Sequence, residues 1–139
     1  MVFRAVLPAV AALALLPFLA GSATAAAASP KPEGKLTITV HEGEDSRGAV
    51  IGSADLNCYP TSGSHPRPHL TCRKVAAVEG DLRNLTPVER PCPMIYRPVT
   101  VVAHGTWKGT PTGFARTYPN QCVANAESDN VFNLMPWRR

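Results

Sequence analysis

The stretch Pro91-Cys92-Pro93-Met94-Ile95-Tyr96-Arg97-Pro98 restricts the fold of this chain more than any other. Its three prolines remove three backbone donors and hold three φ angles near −65°. Each also pushes the residue before it, Arg90, Cys92 or Arg97, toward extended backbone. Helix is ruled out, and the middle of a sheet would lose its ladder. The segment is predicted to be a stiff, extended, exposed loop anchored by one cysteine. It carries the apolar pair Met94-Ile95 and then Tyr96, which a partner's pocket could grip at low entropic cost. A plainer alternative is a proline-rich turn, tied by a disulfide, with Met94 tucked into the core.

The periodicity on either side sets the fold class. Leu36, Ile38 and Val40 alternate with Thr37 and Thr39, so Lys35–Val40 is expected to be a half-buried strand, followed by a polar turn over His41–Asp45. A less regular strand is expected over Gly48–Cys58, and Tyr59–His69, with three prolines, reads as loop. The period then changes. Val75, Val78, Leu82 and Leu85 form one helical stripe within 71–85, which Thr86-Pro87 ends. Gly80 inside that pattern costs about 1 kcal/mol relative to Ala. Val99–Trp107 and Gly113–Tyr118 read as paired strands around a turn begun by Lys108-Gly109. A short helix is expected over Cys122–Ala126, and a last short strand at Val131-Phe132. Strands broken by one long helix give an α+β domain, an antiparallel sheet with helices on one face.

Residues 1–25 have the form of a secretion signal: Arg4, an apolar run over Ala5–Ala20, and small residues at Ala23-Thr24-Ala25. The run falls short of the roughly 20 residues a membrane span needs. Cleavage is expected between residues 25 and 28, leaving a flexible arm over 26–34, a domain over 35–139 and an extracellular protein. Taking Arg4 from the 14 basic residues leaves 13 against 10 acidic, a charge of about +3 spread without runs. That gives no footprint for nucleic acid.

Four cysteines on a secreted chain imply two disulfides, with three possible connectivities. Cys58, His65, His69 and Cys72 also offer four zinc-type ligands in one window. Pro66 and Pro68 keep the histidines off a helix face, however, and an oxidising compartment favours disulfides. No metal or other cofactor is expected. Enzymes need a nucleophile and an oriented base. His41, His65, His69 and His104 sit in no catalytic motif and read as surface or loop residues, so no catalytic residue is assigned.

Cys92-Pro93-Met94-Ile95-Tyr96, followed by Pro98-Val99, resembles the reactive-site segment of the Streptomyces subtilisin inhibitor family. The likeness continues through Gly105–Gly109, Arg116–Cys122, Asn125-Ala126 and Val131-Phe132, and upstream through Val75–Leu82 and Asn84–Thr86. It implies a five-stranded antiparallel sheet with two helices and the bridges Cys58–Cys72 and Cys92–Cys122. It also implies inhibition of subtilisin-like, and more weakly chymotrypsin-like, serine proteases. The scissile bond would be Met94-Ile95, with Met94 in the primary pocket, where a long uncharged side chain suits an apolar slot. Pro91, Cys92, Pro93 and Tyr96 would contact the protease. Asn120 would brace the loop, although a turn residue after Pro119 would look the same in sequence. Two-fold dimers through the sheet face away from the loop are implied as well. Trp107 and the valines near it are candidates for that contact, or else for ordinary core packing.

A protease grips its substrate as an extended strand. Pro91 and Pro93 pre-set such a strand, while Cys92 on one side and Pro98 on the other keep both halves in place after a cut. The freed amine can then re-attack the acyl-enzyme at high effective molarity. The chain departs from the family at Pro91, where a larger apolar residue is common, and at Arg97 and His104, which are commonly acidic. The tail Met135–Arg139 runs past the usual end. The remaining alternative is a secreted, disulfide-stapled binding module for some other protein.

Overall fold

The computed structural model describes residues 21–135; most of the expected signal (residues 1–20) and the tail residues 136–139 lie outside the described residues. Five strands form one antiparallel sheet. They are β1 (Gly34–Glu42), β2 (Val50–Cys58), β3 (Ser62–Gly63), β4 (Val99–Trp107) and β5 (Thr110–Tyr118), in the order β3-β2-β1-β4-β5. Two helices complete the fold, α1 (Pro68–Ala77) and α2 (Gln121–Glu127).

The alternation read from β1 sets the layers. Leu36, Ile38 and Val40 are buried, and Leu36 lies opposite Leu56, Ile38 opposite Ala54 and Ala103, and Val40 opposite Val101. Because cross-strand partners share a face, these residues make one apolar surface. Cys72 and Val75 of α1 and Ala124 of α2 join the same core.

Val75, Leu82 and Leu85 of the helical stripe are buried and Val78 partly so, but the stripe is not one helix. α1 begins with Pro68 in its first turn and ends at Ala77, and a separate 3₁₀ turn covers Leu82–Asn84. Glu79 (φ 51°) and Gly80 (φ 78°) are left-handed, and Gly80 N–H returns to the Val75 carbonyl at 3.0 Å. A Cβ on Gly80 would stand 2.5 Å from the Trp107 side chain. Only a glycine fits this close approach to the Trp107 side chain. Leu82 and Leu85 still reach the core because they approach it from the 3₁₀ turn.

Four more expectations are corrected. Val131-Phe132 is not a strand: the fifth strand is β3, inside the stretch read as loop. After α2 the left-handed Asp129 and Asn130 turn the chain, and Phe132 N–H bonds the Ser128 hydroxyl at 3.1 Å, so the turn satisfies itself. Phe132 is nevertheless 1% exposed, its ring 5.2 Å from that of Phe114. The turn expected from His41 begins later, since β1 runs through Glu42. At the other end, Glu33 and Gly34, placed in the arm by sequence, are tied to the domain: Glu33 N–H bonds the Tyr59 carbonyl at 3.1 Å, and Gly34 opens β1. Trp107 is 5% exposed on the helix side of the sheet, and Val99 and Val101, toward the other end of β4, are buried on the same face. These three are core. Of the nearby residues, Val102 lies on the open face, opposite Thr39 and Ala115.

His65 is the fourth: it lies in the irregular stretch before α1, as read, but is buried rather than at the surface. It is 3% exposed, its Nε2 lies 2.9 Å from the Val131 carbonyl, and its Nδ1 receives the Arg67 N–H at 3.1 Å. Those partners make Nε2 the protonated nitrogen and Nδ1 the acceptor. Burial pushes the imidazole below its ordinary value, more than the Val131 carbonyl raises it.

Candidate functional site

Both bridges implied by the resemblance are formed. Cys58–Cys72 joins β2 to α1, and Cys92–Cys122 joins the proline-rich segment to α2, with Cα–Cα distances of 5.4 and 5.7 Å. The cysteines offered as zinc ligands are thus bonded to each other. In the chain-entropy description, loops of 14 and 30 residues stabilise the fold by about 3.0 and about 3.6 kcal/mol respectively.

Residues 85–98 form an irregular extended connection between the 3₁₀ turn and β4. Three prolines leave residues 91–98 with few amide donors, so the segment is held mainly from outside. Val88 N–H bonds the Ala126 carbonyl at 2.9 Å and the Arg90 guanidinium bonds the Asn130 side chain at 2.9 Å. At the far end Arg97 N–H bonds the Pro119 carbonyl at 2.9 Å, and the Pro98 carbonyl accepts from Gly43 N–H at 2.8 Å. Between these fixed ends Met94 is fully exposed, at 104% of its reference area, with Ile95 at 53% and Tyr96 at 66%. The alternative that tucks Met94 into the core is thereby overturned.

Asn120 joins α2 to the loop. It is 8% exposed and caps α2, its Oδ1 accepting from Val123 N–H at 3.0 Å. The same amide donates from Nδ2 to the Pro93 carbonyl at 3.2 Å and to the Ile95 carbonyl at 2.9 Å. One side chain thus links the helix start to the backbone on both sides of Met94. An N-cap must accept, and asparagine alone among the good caps also carries two donors. Asn120 therefore caps α2 and bonds the Pro93 and Ile95 carbonyls at once.

Sequence reasoning brought Pro91, Cys92, Pro93, Met94, Ile95, Tyr96, Asn120 and Cys122 together, and the fold places all of them at one end of the molecule. It missed Gly43 and Glu44. The turn after β1 lies beside the loop: the Thr100 hydroxyl donates to the Gly43 carbonyl at 3.0 Å, the Thr117 hydroxyl donates to that of Glu44 at 3.1 Å, and the Tyr96 hydroxyl donates to the Glu44 carboxylate. That last bond pushes the Tyr96 phenol above its ordinary value. The signal for this partnership is spatial, since 52 residues separate Glu44 from Tyr96. Beneath the loop lies an open apolar cleft of about 500 Å³, lined by Ile51, Pro93, Ile95, Pro98 and Met135 among others.

A small disulfide-stapled α+β domain that presents a rigid, outward-facing extended loop belongs structurally to the protein-binding class. The family model for subtilisin inhibitor-like proteins matches residues 32–120, and the chain belongs to that family. It is 37% identical over 104 residues to Kexstatin-1 of Streptomyces platensis, covering 72% of each protein. It is 39% identical over 100 residues to the subtilisin inhibitor of Streptomyces albogriseolus, covering 70% of this chain and 69% of that one. Among solved structures it resembles Streptomyces caespitosus sermetstatin, crystallised in complex with Bacillus licheniformis subtilisin. The TM-score is 0.62 at 31% identity, over 71% of this chain and 96% of that one.

Proposed function

We propose that the protein is a secreted inhibitor of subtilisin-like serine proteases, that its scissile bond is Met94-Ile95, and that Asn120 and the Cys92–Cys122 bridge keep that bond intact. The observation that carries this reading is the single Asn120 amide on the Pro93 and Ile95 carbonyls, one on either side of a fully exposed Met94. Family membership supports it.

Met94 enters the primary pocket, and the extended backbone around it pairs with the enzyme's substrate-binding strands. The protease serine attacks the Met94 carbonyl. The C–N bond to Ile95 breaks, and the Ile95 nitrogen leaves as an amine carrying the proton supplied by the enzyme's histidine. In an ordinary substrate that amine diffuses away and water completes hydrolysis. Here Asn120 holds the Ile95 carbonyl and Pro119 holds Arg97, so the amine stays beside the acyl carbon. Its re-attack re-forms the amide and frees the serine. Intramolecular re-attack of this kind has effective molarities of about 10⁵ M or more, against the ~55 M of water. The enzyme therefore remains occupied.

The test is titration of subtilisin with the full chain, followed by mass spectrometry of the product. Stoichiometric loss of activity with a slow single cut after Met94 is expected. Rapid digestion, or a cut elsewhere, would overturn the reading. Homodimerisation through the open sheet face, where Thr37, Thr39 and Val102 lie, belongs to the same proposal, and light scattering at micromolar concentration tests it.

A further inference from the structure

We propose that Glu44, in the turn between β1 and β2, is a positioning residue for the half of the reactive loop that follows the scissile bond; the inference rests on Met94-Ile95 being that bond. The brace already described acts at Pro93 and Ile95 and does not reach the side chain of Tyr96. Glu44 does: its carboxylate accepts the Tyr96 hydroxyl. The carboxylate is itself set in place by backbone bonds on both sides of it. Gly43 N–H holds the Pro98 carbonyl at 2.8 Å, the Thr100 hydroxyl holds the Gly43 carbonyl at 3.0 Å, and the Thr117 hydroxyl holds the Glu44 carbonyl at 3.1 Å. The turn is thereby fastened to three neighbours before it meets the loop.

Two consequences follow from that geometry. A hydrogen bond with an ionised acceptor is roughly twice as strong as a neutral one. Its contribution here lies in orientation, because the turn is pre-ordered and little further entropy is lost. Tyr96 is one residue beyond the amine that must re-attack, so fixing its ring limits how far Ile95 can swing once the bond is open. Glu44 also brings a negative charge to the flank of the loop that faces a bound protease. Its influence on hydrolysis is exerted through Tyr96, without contact with the reacting atoms.

The experiment compares the parent full chain with Glu44→Ala, Glu44→Gln, Tyr96→Phe and the double variant Glu44→Ala/Tyr96→Phe. Each is incubated with catalytic subtilisin, and two quantities are read: the inhibition constant, and the rate at which a chain beginning at Ile95 appears. Glu44 is exposed, and thermal melts confirm equal foldedness. Glu44→Ala is expected to speed that cleavage about fivefold, out of proportion to any change in affinity, as the loss of one exposed charged hydrogen bond predicts. Glu44→Gln keeps an acceptor oxygen and should restore most of the resistance. The double variant should be no faster than the faster single one, since both remove the same bond. A folded Glu44→Ala chain cut as slowly as the parent, or an additive double variant, overturns the role of Glu44. A parent cut at another bond instead overturns the reactive-site reading on which the role rests.

Discussion

Two stretches of this chain are rich in proline and tied down by a cysteine, and the fold treats them oppositely. The stretch between Cys58 and Cys72 carries Pro60, Pro66 and Pro68, and the one beginning at Pro91 carries Pro91, Pro93 and Pro98. In the first, Ser62-Gly63 pairs with Asn57 and Leu56, and His65 N–H reaches the Asp55 carbonyl at 3.1 Å. His65 of this stretch turns inward to 3% exposure. In the second, a side chain outside the segment holds the Pro93 and Ile95 carbonyls, and Met94 faces solvent completely. Proline density makes both stiff. What differs is where the holding groups lie. A free sheet edge at β2 draws the first stretch into the fold, whereas the Asn120 amide and the turn at Gly43 suspend the second at its surface.

The largest effect that would sharpen this contrast is expected from Met94→Lys. It should weaken inhibition of proteases with apolar primary pockets about 100-fold and create inhibition of trypsin, whose pocket carries an aspartate. Inhibition constants against subtilisin and trypsin measure it. Unchanged constants would mean that the exposed residue is not the one the protease reads.

Next come the bridges, removed separately. Replacing Cys92 and Cys122 by Ser should lower stability by about 3–4 kcal/mol and also hasten cleavage after Met94, because the loop's shoulder is released. Replacing Cys58 and Cys72 by Ser should cost about 3 kcal/mol in the same description but leave the loop's cleavage rate near the parent's at equal foldedness. Urea melts and mass spectrometry, run in the cold, check both. If the two double variants hasten cleavage equally, the difference between the stretches collapses.

Asn120→Asp isolates the brace from the cap. Its carboxylate still accepts from Val123 N–H, and a negative charge at a helix start is favourable. It offers no donor to the Pro93 and Ile95 carbonyls, however. Stability should fall by about 1–3 kcal/mol, because a carboxylate oxygen then faces two carbonyl oxygens with no proton between them, while cleavage quickens several-fold. Asn120→Ala should lose in both measurements.

The smallest effect concerns the inward-facing stretch. Burial holds His65 neutral in the folded chain, with its imidazole below the ordinary 6.5. The unfolded chain takes up a proton as pH falls through about 6.5, and the folded chain does so only lower. His65 therefore leaves stability intact above that pH and erodes it as pH falls toward the folded value. Urea midpoints between pH 7.5 and 5 should decline in the parent, with a shallower slope in His65→Gln.

The sequence by itself determined the strand faces and the stiffness of Pro91–Pro98, while the exposure of Met94 was settled only by the fold. Alternation at Leu36, Ile38 and Val40 and the fixed φ of proline are local properties, legible wherever they occur. The similarity of Cys92–Tyr96 and Arg116–Cys122 to a known family carried the bridges and the role expected of Asn120. Tertiary structure alone decided the rest. The stripe from Val75 to Leu85 is divided between α1, which ends at Ala77, and the 3₁₀ turn at Leu82–Asn84, with the left-handed Gly80 between them so close to Trp107, distant in sequence, that a Cβ there would stand 2.5 Å from its side chain. His65 became a buried partner of Val131 because α1 and the turn after α2 close over it. Glu44 reached Tyr96 because β1 lies beside β4, bringing the turn at the end of one strand to the loop that feeds the other. Periodicity reports which face of an element is apolar. Which distant residue will occupy the space against that face is set only when the sheet order places them together.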